Sequence, residues 1–370
     1  MKVLHVISDE NIGGAGVLLC TLLRHFDRER VQSAVALPRG SALTERVESL
    51  GIPVHGLTHP CHRLDGASVR EVEELLRREG FQLVHANAAL SARVAGKRTG
   101  IPVLHTRHCC FPPSGLWRLT PVRQAGGFFN RRLSDCVIAT ADAAAQNLTQ
   151  YGIPPAMIRV IVNGAEPVRQ VSEGELSEVR KSFGLEKEDF TVGICARLEP
   201  CKGHEVFLQA AKRACERLPH VPFRFLIAGE GSLRRELEQR AVALGLRERV
   251  RFLGFLKDPA PFYRSLRLNV NCSCGTETSC LAISEGFSAS VPVIASDYGG
   301  NRAMVGDGMS GLLFPTGDAE ALTQAICRIA QNPALEDQMR QAARARYLRY
   351  YTPELMTNQL VRVYEELVRR

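Results

Sequence analysis

Short apolar runs rich in Val and Ile alternate along this chain with longer stretches whose apolar residues recur every three or four positions. The first run, residues 3–8, leads into a glycine-rich turn, after which Val17, Leu18, Leu22, Leu23 and Phe26 share one face at helical spacing. That order predicts a strand, a loop and a helix. Further strands are expected at 33–37, 83–85, 103–106 and 137–140, with helices such as 69–78 between them. Val/Ile runs linked by helices imply a parallel sheet covered on both faces.

The pattern restarts after residue 168. Strands are expected at 191–195, 224–228, 250–253, 268–271 and 293–296, separated by helices such as 204–218 and 232–244. Between the two series lie Ile153-Pro154-Pro155 and Asn163-Gly164-Ala165-Glu166-Pro167, turn-rich stretches suited to a hinge. At the far end Thr352 reads as an N-cap and Pro353 as a first helical residue, opening an amphipathic helix over 355–367. The expected architecture is α/β, two doubly wound domains with a ligand cleft at the carboxyl ends of facing sheets.

A length of 370 residues suits two domains, and 45% hydrophobic with 23% charged residues describes a soluble globular protein, not a disordered or low-complexity one. The 47 Lys plus Arg against 39 Asp plus Glu give a net charge of +8. That excess fits an anionic partner or a merely basic surface. No zinc-finger spacing, basic heptad region or aromatic RNA-binding signature accompanies it, so nucleic acid is not expected as a partner. The 12 cysteines are scattered; Cys109-Cys110 and Cys272-x-Cys274 lack the paired ligand spacing of a zinc site and read as free buried thiols. The opening apolar run ends at Asp9-Glu10, too short for a signal peptide, and no uncharged stretch is long enough to span a bilayer. A reducing cytoplasm is the expected location.

Three segments are placed to carry chemistry. Gly13-Gly14-Ala15-Gly16 lies between the first strand and helix, where backbone N–H groups and the helix dipole favour phosphate; a plain tight turn is the other reading. An NAD site would also want an acidic residue ending the second strand, which instead runs into Pro38-Arg39-Gly40. Arg197 and Lys202 stand five residues apart between the first strand and helix of the second half, where they could clamp a diphosphate or belong to a solvated loop. Glu277 and Glu285 follow a strand with seven residues between them. Were the interval helical, its rise of about 12 Å would suit the two ends of a nucleotide-sugar and exceed the separation used across one glycosidic bond. A first-turn Glu complementing the helix dipole beside an unrelated surface Glu is the alternative.

Taken in order, Asn163-Gly164, Arg197…Lys202-Gly203, Gly229-Glu230-Gly231, Phe252-Leu253-Gly254, Glu277-x7-Glu285, 292–301, Gly311-Leu312-Leu313-Phe314-Pro315 and Asp318 resemble the retaining glycosyltransferase family 4 over nearly the whole chain. The resemblance implies a GT-B fold of two facing Rossmann-like domains with an interdomain cleft: 1–167 with a returning helix at 352–370 on the acceptor side, and 168–351 binding a nucleotide diphosphate-sugar, UDP- or GDP-linked. It implies that Arg197 and Lys202 hold the diphosphate, Glu285 the ribose and Glu277 the transferred sugar. Amides of Thr278, Ser279, Cys280 and Leu281 would assist them. Gly13, Gly14 and Gly16 would approach the phosphates, and backbone near Gly254 and Leu256 the base. His108, in Leu104-His105-Thr106-Arg107-His108, matches the family's strand-end histidine, with His105 as substitute. Transfer would be retaining and metal-independent, the leaving phosphate oxygen taking the acceptor proton. No cofactor, metal ligand or covalent nucleophile is implied, and no Asp-x-Asp motif occurs. The chain departs from the family in having Thr278-Ser279-Cys280 after the first Glu and Ser290 where glycine is favoured; the second change is expected to affect packing at a helix end.

Arg107, Arg118, Arg123, Arg131 and Arg132, interleaved with Phe111, Leu116, Trp117, Phe128 and Phe129 and free of acidic residues, form a candidate surface for anionic lipid. An ordinary helix with its aromatics in the core is the alternative. The expected activity is a hexosyltransferase acting on a cell-envelope, polysaccharide or lipid-linked acceptor, peripheral at the inner membrane face. Alternatives are a sugar-phosphate synthase of the same fold, an NAD-dependent oxidoreductase, or a non-catalytic sugar-nucleotide binder.

Overall fold

The computed structural model describes residues 1–9, 13–108, 115–275 and 277–369. Glu10, Cys109, Cys110, Phe111 and Thr276 lie outside the described residues, as does the side chain of Trp117. The chain divides into two compact units, Met1–Ala165 with Pro353–Arg370, and Glu166–Thr352.

The first unit is built on a parallel sheet of β1 (Lys2–Ile7), β2 (Gln32–Pro38), β3 (Val54–Leu57), β4 (Leu83–Asn87), β5 (Val103–Arg107), β6 (Cys136–Ala139) and β7 (Ile158–Val160), ordered β3-β2-β1-β4-β5-β6-β7. Both faces are covered. Val3, Leu83 and Leu104 share one core with Leu18, Leu22 and Phe26 of the helix Gly14–His25 and with Met356, Leu360 and Tyr364 of the terminal helix Pro353–Val368. Val84 and Ala86 meet Val69, Val72 and Leu76 of the helix Gly66–Glu79 on the other face.

The second unit holds β8 (Phe190–Cys195), β9 (Phe223–Ala228), β10 (Val250–Gly254), β11 (Leu268–Asn271), β12 (Val293–Ser296) and β13 (Gly311–Phe314), again parallel, in the order β10-β9-β8-β11-β12-β13. In each sheet the strand order reverses once, between β1 and β4 and between β8 and β11. The loops leaving such neighbours diverge to opposite faces and open a crevice at the strands' carboxyl ends, where a ligand can bind. Every segment singled out for chemistry, except the base-contact stretch after β10, leaves a strand beside one of these two points or follows β5.

Ser290 explains itself in the backbone. The helix Leu281–Ser288 ends with Ser290 in the left-handed conformation (φ 62°), its N–H donating to the Phe287 carbonyl at 3.0 Å and that of Val291 to Gly286 at 2.9 Å. This is the position where a glycine usually closes a helix. The cost of Ser290 is therefore conformational, not the packing effect expected above. Ser290→Gly is expected to stabilise the fold by about 0.5–1 kcal/mol, relief of the left-handed strain less glycine's extra entropy in the unfolded chain. Thermal unfolding should show a rise of roughly 1–3 °C.

Not all the cysteines are buried. Cys274 is exposed, and Cys195, Cys201 and Cys215 are half-buried.

Candidate active site

At the switch point of the second unit, the chain leaves β8, passes Arg197 and makes a short 3-10 turn over Pro200–Lys202. Gly203 ends that turn with φ 67°, and a Cβ there would collide with the Cys272 carbonyl. Its bare backbone brings the loop after β8 against the loop after β11. Lys202 Nζ thereby lies 2.7 Å from Glu277 Oε2, their side chains only 17% and 9% exposed. Ser273 Oγ donates to the same carboxylate oxygen at 2.8 Å. Burial pulls the Lys202 ammonium down, but the facing Glu277 carboxylate outweighs it and holds it above its ordinary value, so it stays a cation.

A set of side chains that the sequence reading missed supports this pair. Asn271 Oδ1 accepts from the Ser273 N–H at 3.0 Å and from Asn301 Nδ2 at 3.2 Å, while Ser296 Oγ donates to the Ser273 carbonyl at 2.6 Å. Gly299, at φ 57°, has room for no Cβ against the Glu277 carbonyl. Buried and hydrogen-bonded to one another, with Asn301 Oδ1 the one side-chain atom of the set left unpartnered among the described residues, these groups fix the loop that carries Glu277. Their only sequence signal was the stretch 292–301, quoted above without separate roles for Ser296, Gly299 and Asn301.

Glu277 precedes the helix, which begins at Leu281, so the interval to Glu285 is not wholly helical and Glu277 is not a first-turn residue. Glu285 is half-buried on that helix, and Tyr263 Oη donates to its Oε2 at 2.7 Å. Burial pushes the Glu285 carboxyl up, against the opposing effect of the Tyr263 hydrogen bond. Thr278, Ser279 and Cys280 are buried ahead of the helix. The Cys280 amide, expected among the ligand donors, instead meets Met304 Sδ at 3.2 Å. Burial pushes the Cys280 thiol up to about 12, which keeps it protonated at neutral pH. Arg197 is exposed and makes no side-chain hydrogen bond or ion-pair contact among the described residues, though its charge helps to lower the pKa of Glu199, which accepts from Ser232 Oγ at 2.9 Å. Gly254, at φ 71°, ends β10 and accepts the Gly229 N–H at 2.8 Å; Leu256 beyond it is half-buried against the core.

In the first unit the glycines divide. A Cβ on Gly16 would press on Leu43, so that glycine serves helix packing, while a Cβ on Gly14 would meet nothing within 4 Å among the described residues and Gly13 is the N-cap. The first intrahelical bond runs from Val17 N–H to the Gly13 carbonyl at 3.0 Å, leaving the earlier amides at the end where an anion is favoured. His108 follows β5, and its Nε2 lies 2.9 Å from Asn87 Oδ1 at the end of β4. Burial lowers its pKa to about 4, so the ring is neutral at pH 7. His105 is buried with Nδ1 unpartnered.

Two parallel-sheet nucleotide folds, each with functional side chains at its switch point, define the class. Residues 12–169 match the family model for glycosyltransferase family 4 and 177–346 that for glycosyl transferases group 1. The chain belongs to the family 4 glycosyltransferases, enzymes of the hexosyl-transferring class. It is 31% identical over 275 residues to a D-inositol 3-phosphate glycosyltransferase of Rhodococcus erythropolis, covering 68% of this chain and 62% of that one. Its likeness to one from Kribbella flavida is 27% over 290 residues, 73% and 68% of the two chains. The crystal structure of Anabaena HepE in complex with UDP superposes with a TM-score of 0.87 at 24% identity over 99% of this chain and 100% of that one, which establishes the GT-B fold. The sucrose-phosphate synthase of Thermosynechococcus elongatus gives 0.78 at 19% identity over 99% of each chain. This membership leaves no place for the oxidoreductase alternative.

Proposed function

We propose that this enzyme transfers a sugar, with retention and without a metal ion, from a UDP- or GDP-linked donor to a glycan or lipid-linked acceptor of the cell envelope. The observation that carries the reading is the buried Lys202–Glu277 pair at the second unit's switch point, with Glu285 on the helix that follows. A cation held next to a carboxylate offers the diphosphate a charge and the sugar a hydrogen-bond acceptor side by side. Arg197, exposed and without a side-chain hydrogen bond among the described residues, adds a bidentate fork for the phosphates. Glu285 takes the ribose hydroxyls, and the backbone near Gly254 and Leu256 the base.

In the proposed step the bond from the anomeric carbon to phosphate oxygen breaks, and the acceptor hydroxyl bonds to that carbon from the same face. Its proton passes to the departing phosphate oxygen, whose charge Lys202, Arg197 and the amides around Gly13 and Gly14 stabilise. His108, neutral, orients the donor sugar through its polar contacts and so favours positive charge at the anomeric carbon. HepE was crystallised with UDP and with UDP-glucose, which supports a uridine donor. Thermal shift against a panel of nucleotide sugars, followed by transfer assays with the donor that stabilises, tests the reading; stabilisation by none would sink it. The relatives named for D-inositol 3-phosphate favour a second reading, a soluble phosphorylated acceptor. Partition of the labelled product between water and organic solvent separates the two.

The acceptor's source bears on the helix Thr120–Leu133, of which only Gly127 is fully buried. Phe128 is 45% exposed and Phe129 64%, contrary to a helix with its aromatics in the core. The guanidiniums of Arg131 and Arg132 lie 5.9 and 5.1 Å from the Phe128 ring centre. No helix among the described residues is long and apolar enough to cross a membrane. We propose that this surface rests on anionic lipid. At about 1 kcal/mol per basic residue, reversing Arg131 and Arg132 to Glu should cut cosedimentation with phosphatidylglycerol vesicles by roughly thirtyfold or more. Unchanged binding would count against the surface.

A further inference from the structure

We propose that Tyr263 is a positioning residue for Glu285: its hydroxyl holds one carboxylate oxygen, fixes the plane of the group and leaves the remaining lone pairs to the ribose of the donor. This rests on the reading that Glu285 holds the ribose, and it names what aims that carboxylate. Tyr263 Oη donates to Glu285 Oε2 at 2.7 Å, and no hydrogen bond reaches Oε1 among the described residues. A carboxylate offers about four acceptor positions, so Oε1 and the second lone pair of Oε2 remain for two hydroxyls. A hydroxyl also orients the group without neutralising it. A Lys or Arg in its place would bind the carboxylate more strongly and compete with the ribose.

Tyr263 and Glu285 stand 22 positions apart and meet because two helices lie side by side on one face of the second sheet. β8 and β11 pair with Gly193 opposite Asn269, so both residues address the same face. A Cβ on Gly193 would fall 2.6 Å from the Leu266 side chain and 2.8 Å from that of Phe262. The bare strand therefore lets the short helix Ala260–Ser265 settle onto β8. On the helix Leu281–Ser288, a Cβ on Gly286 would fall 2.7 Å from Asn269 Nδ2, so that helix comes equally close to β11, and the same nitrogen donates to the Ala282 carbonyl at 2.8 Å. Tyr263 is fully buried with Leu226, Ala228, Ala289 and Val291, its ring edge-on to Phe262 at 5.1 Å between centres. A ring packed on all sides gives its hydroxyl one direction.

Few charged or titratable groups surround the carboxylate. Cys195 ends β8; burial and then the Glu285 charge push its thiol up to about 12, so it adds no charge of its own. Burial holds the Tyr263 phenol well above its ordinary value, which keeps the proton it donates. From the helix Pro333–Tyr350, Arg344 Nη1 donates to the Ser288 carbonyl at 2.7 Å. Arg264, beside Tyr263, is turned to the Val168 and Arg169 carbonyls at 3.3 and 3.4 Å. β11 and β12 beneath the helix carry no titratable residue. Burial raises the Glu285 carboxyl, and the Tyr263 hydrogen bond opposes that rise.

The test is isothermal titration of UDP and, in parallel, GDP into the full chain carrying Tyr263→Phe, Glu285→Ala or both, over pH 4.5 to 8, with folding followed by circular dichroism. For the nucleotide that the wild type binds, Tyr263→Phe should weaken binding about tenfold at pH 8, but less than twofold when Glu285 is already Ala, because the hydroxyl acts through the carboxylate. The acid limb of Tyr263→Phe should also lie at higher pH than that of the wild type. A carboxylate that has lost its donor takes up a proton more readily, and affinity, full above that ionisation, is lost as pH falls through it. Weakening by the same factor in both backgrounds, a Tyr263→Phe affinity within twofold of wild type, or acid limbs that superpose each overturn the positioning role. Glu285→Ala binding as tightly as wild type overturns instead the reading that Glu285 holds the ribose, and binding of neither nucleotide by the wild type overturns the donor reading as a whole.

Discussion

Lys202→Ala is expected to lower kcat/KM for the nucleotide-sugar about a thousandfold, the loss of roughly 4 kcal/mol of transition-state stabilisation typical of a preorganised charge facing a leaving group. Lys202 lies on a 3-10 turn pinned by Gly203 against Cys272, and Glu277 already compensates its charge in the free protein. A departing diphosphate then meets a cation that needs no reorganisation. The loss should fall mainly on kcat, because negative charge on the leaving oxygen grows as the glycosidic bond breaks.

Stability must be separated from chemistry in that experiment. Removing Lys202 leaves the Glu277 carboxylate buried with Ser273 as its remaining partner, and an uncompensated buried charge costs about 3 kcal/mol or more. Lys202→Met combined with Glu277→Gln removes both charges and should unfold close to wild type while staying inactive. Lys202→Arg should rescue little, since a planar fork does not replace a point charge in a gap of 2.7 Å. Transfer within tenfold of wild type by a folded Lys202→Ala would remove the residue from the diphosphate site.

Much of the fold is written in local pattern. The central strands of both sheets stand out because each is a nearly unbroken apolar run buried on both faces, as in Val3–Ile7 or Val293–Ser296. β3, β7 and β13 escaped because they are short outer strands: Val54-His55-Gly56-Leu57 and Ile158-Arg159-Val160 carry polar residues or glycine, and Gly311–Phe314 has no β-branched residue. The chemistry-bearing side chains were visible one at a time, through glycine turns and charge spacing. Their pairings were not. That Lys202 meets Glu277 across 75 positions, or His108 meets Asn87 across 21, depends on which strands lie side by side, and no local period encodes strand order. The same limit hid Asn271, Ser273, Ser296 and Asn301, polar residues indistinguishable in sequence from surface ones until β11 and β12 bring them together. Ser290 is the converse: its departure from glycine was plain, but only the left-handed backbone shows what it costs.

Glu285→Ala should raise donor KM about a hundredfold or more, because a carboxylate accepting from two ribose hydroxyls forms two charge-assisted hydrogen bonds, each contributing roughly 1.5–3 kcal/mol. Tyr263 donates to one oxygen of the carboxyl at 2.7 Å, which orients the group toward the crevice. Burial raises the Glu285 carboxyl above its ordinary range, so it takes up a proton at a higher pH than an exposed Glu would. The sign follows: donor affinity is full above that pKa and declines as pH falls through it. Glu285→Gln keeps the shape, loses the charge, and should show a weaker but pH-independent donor KM over the same acid range. Isothermal titration with the nucleoside diphosphate alone isolates this term from catalysis. If Glu285→Ala binds the diphosphate as tightly as wild type, the carboxylate does not hold the ribose, and the assignment of both ends of the Glu277–Glu285 motif must be redrawn.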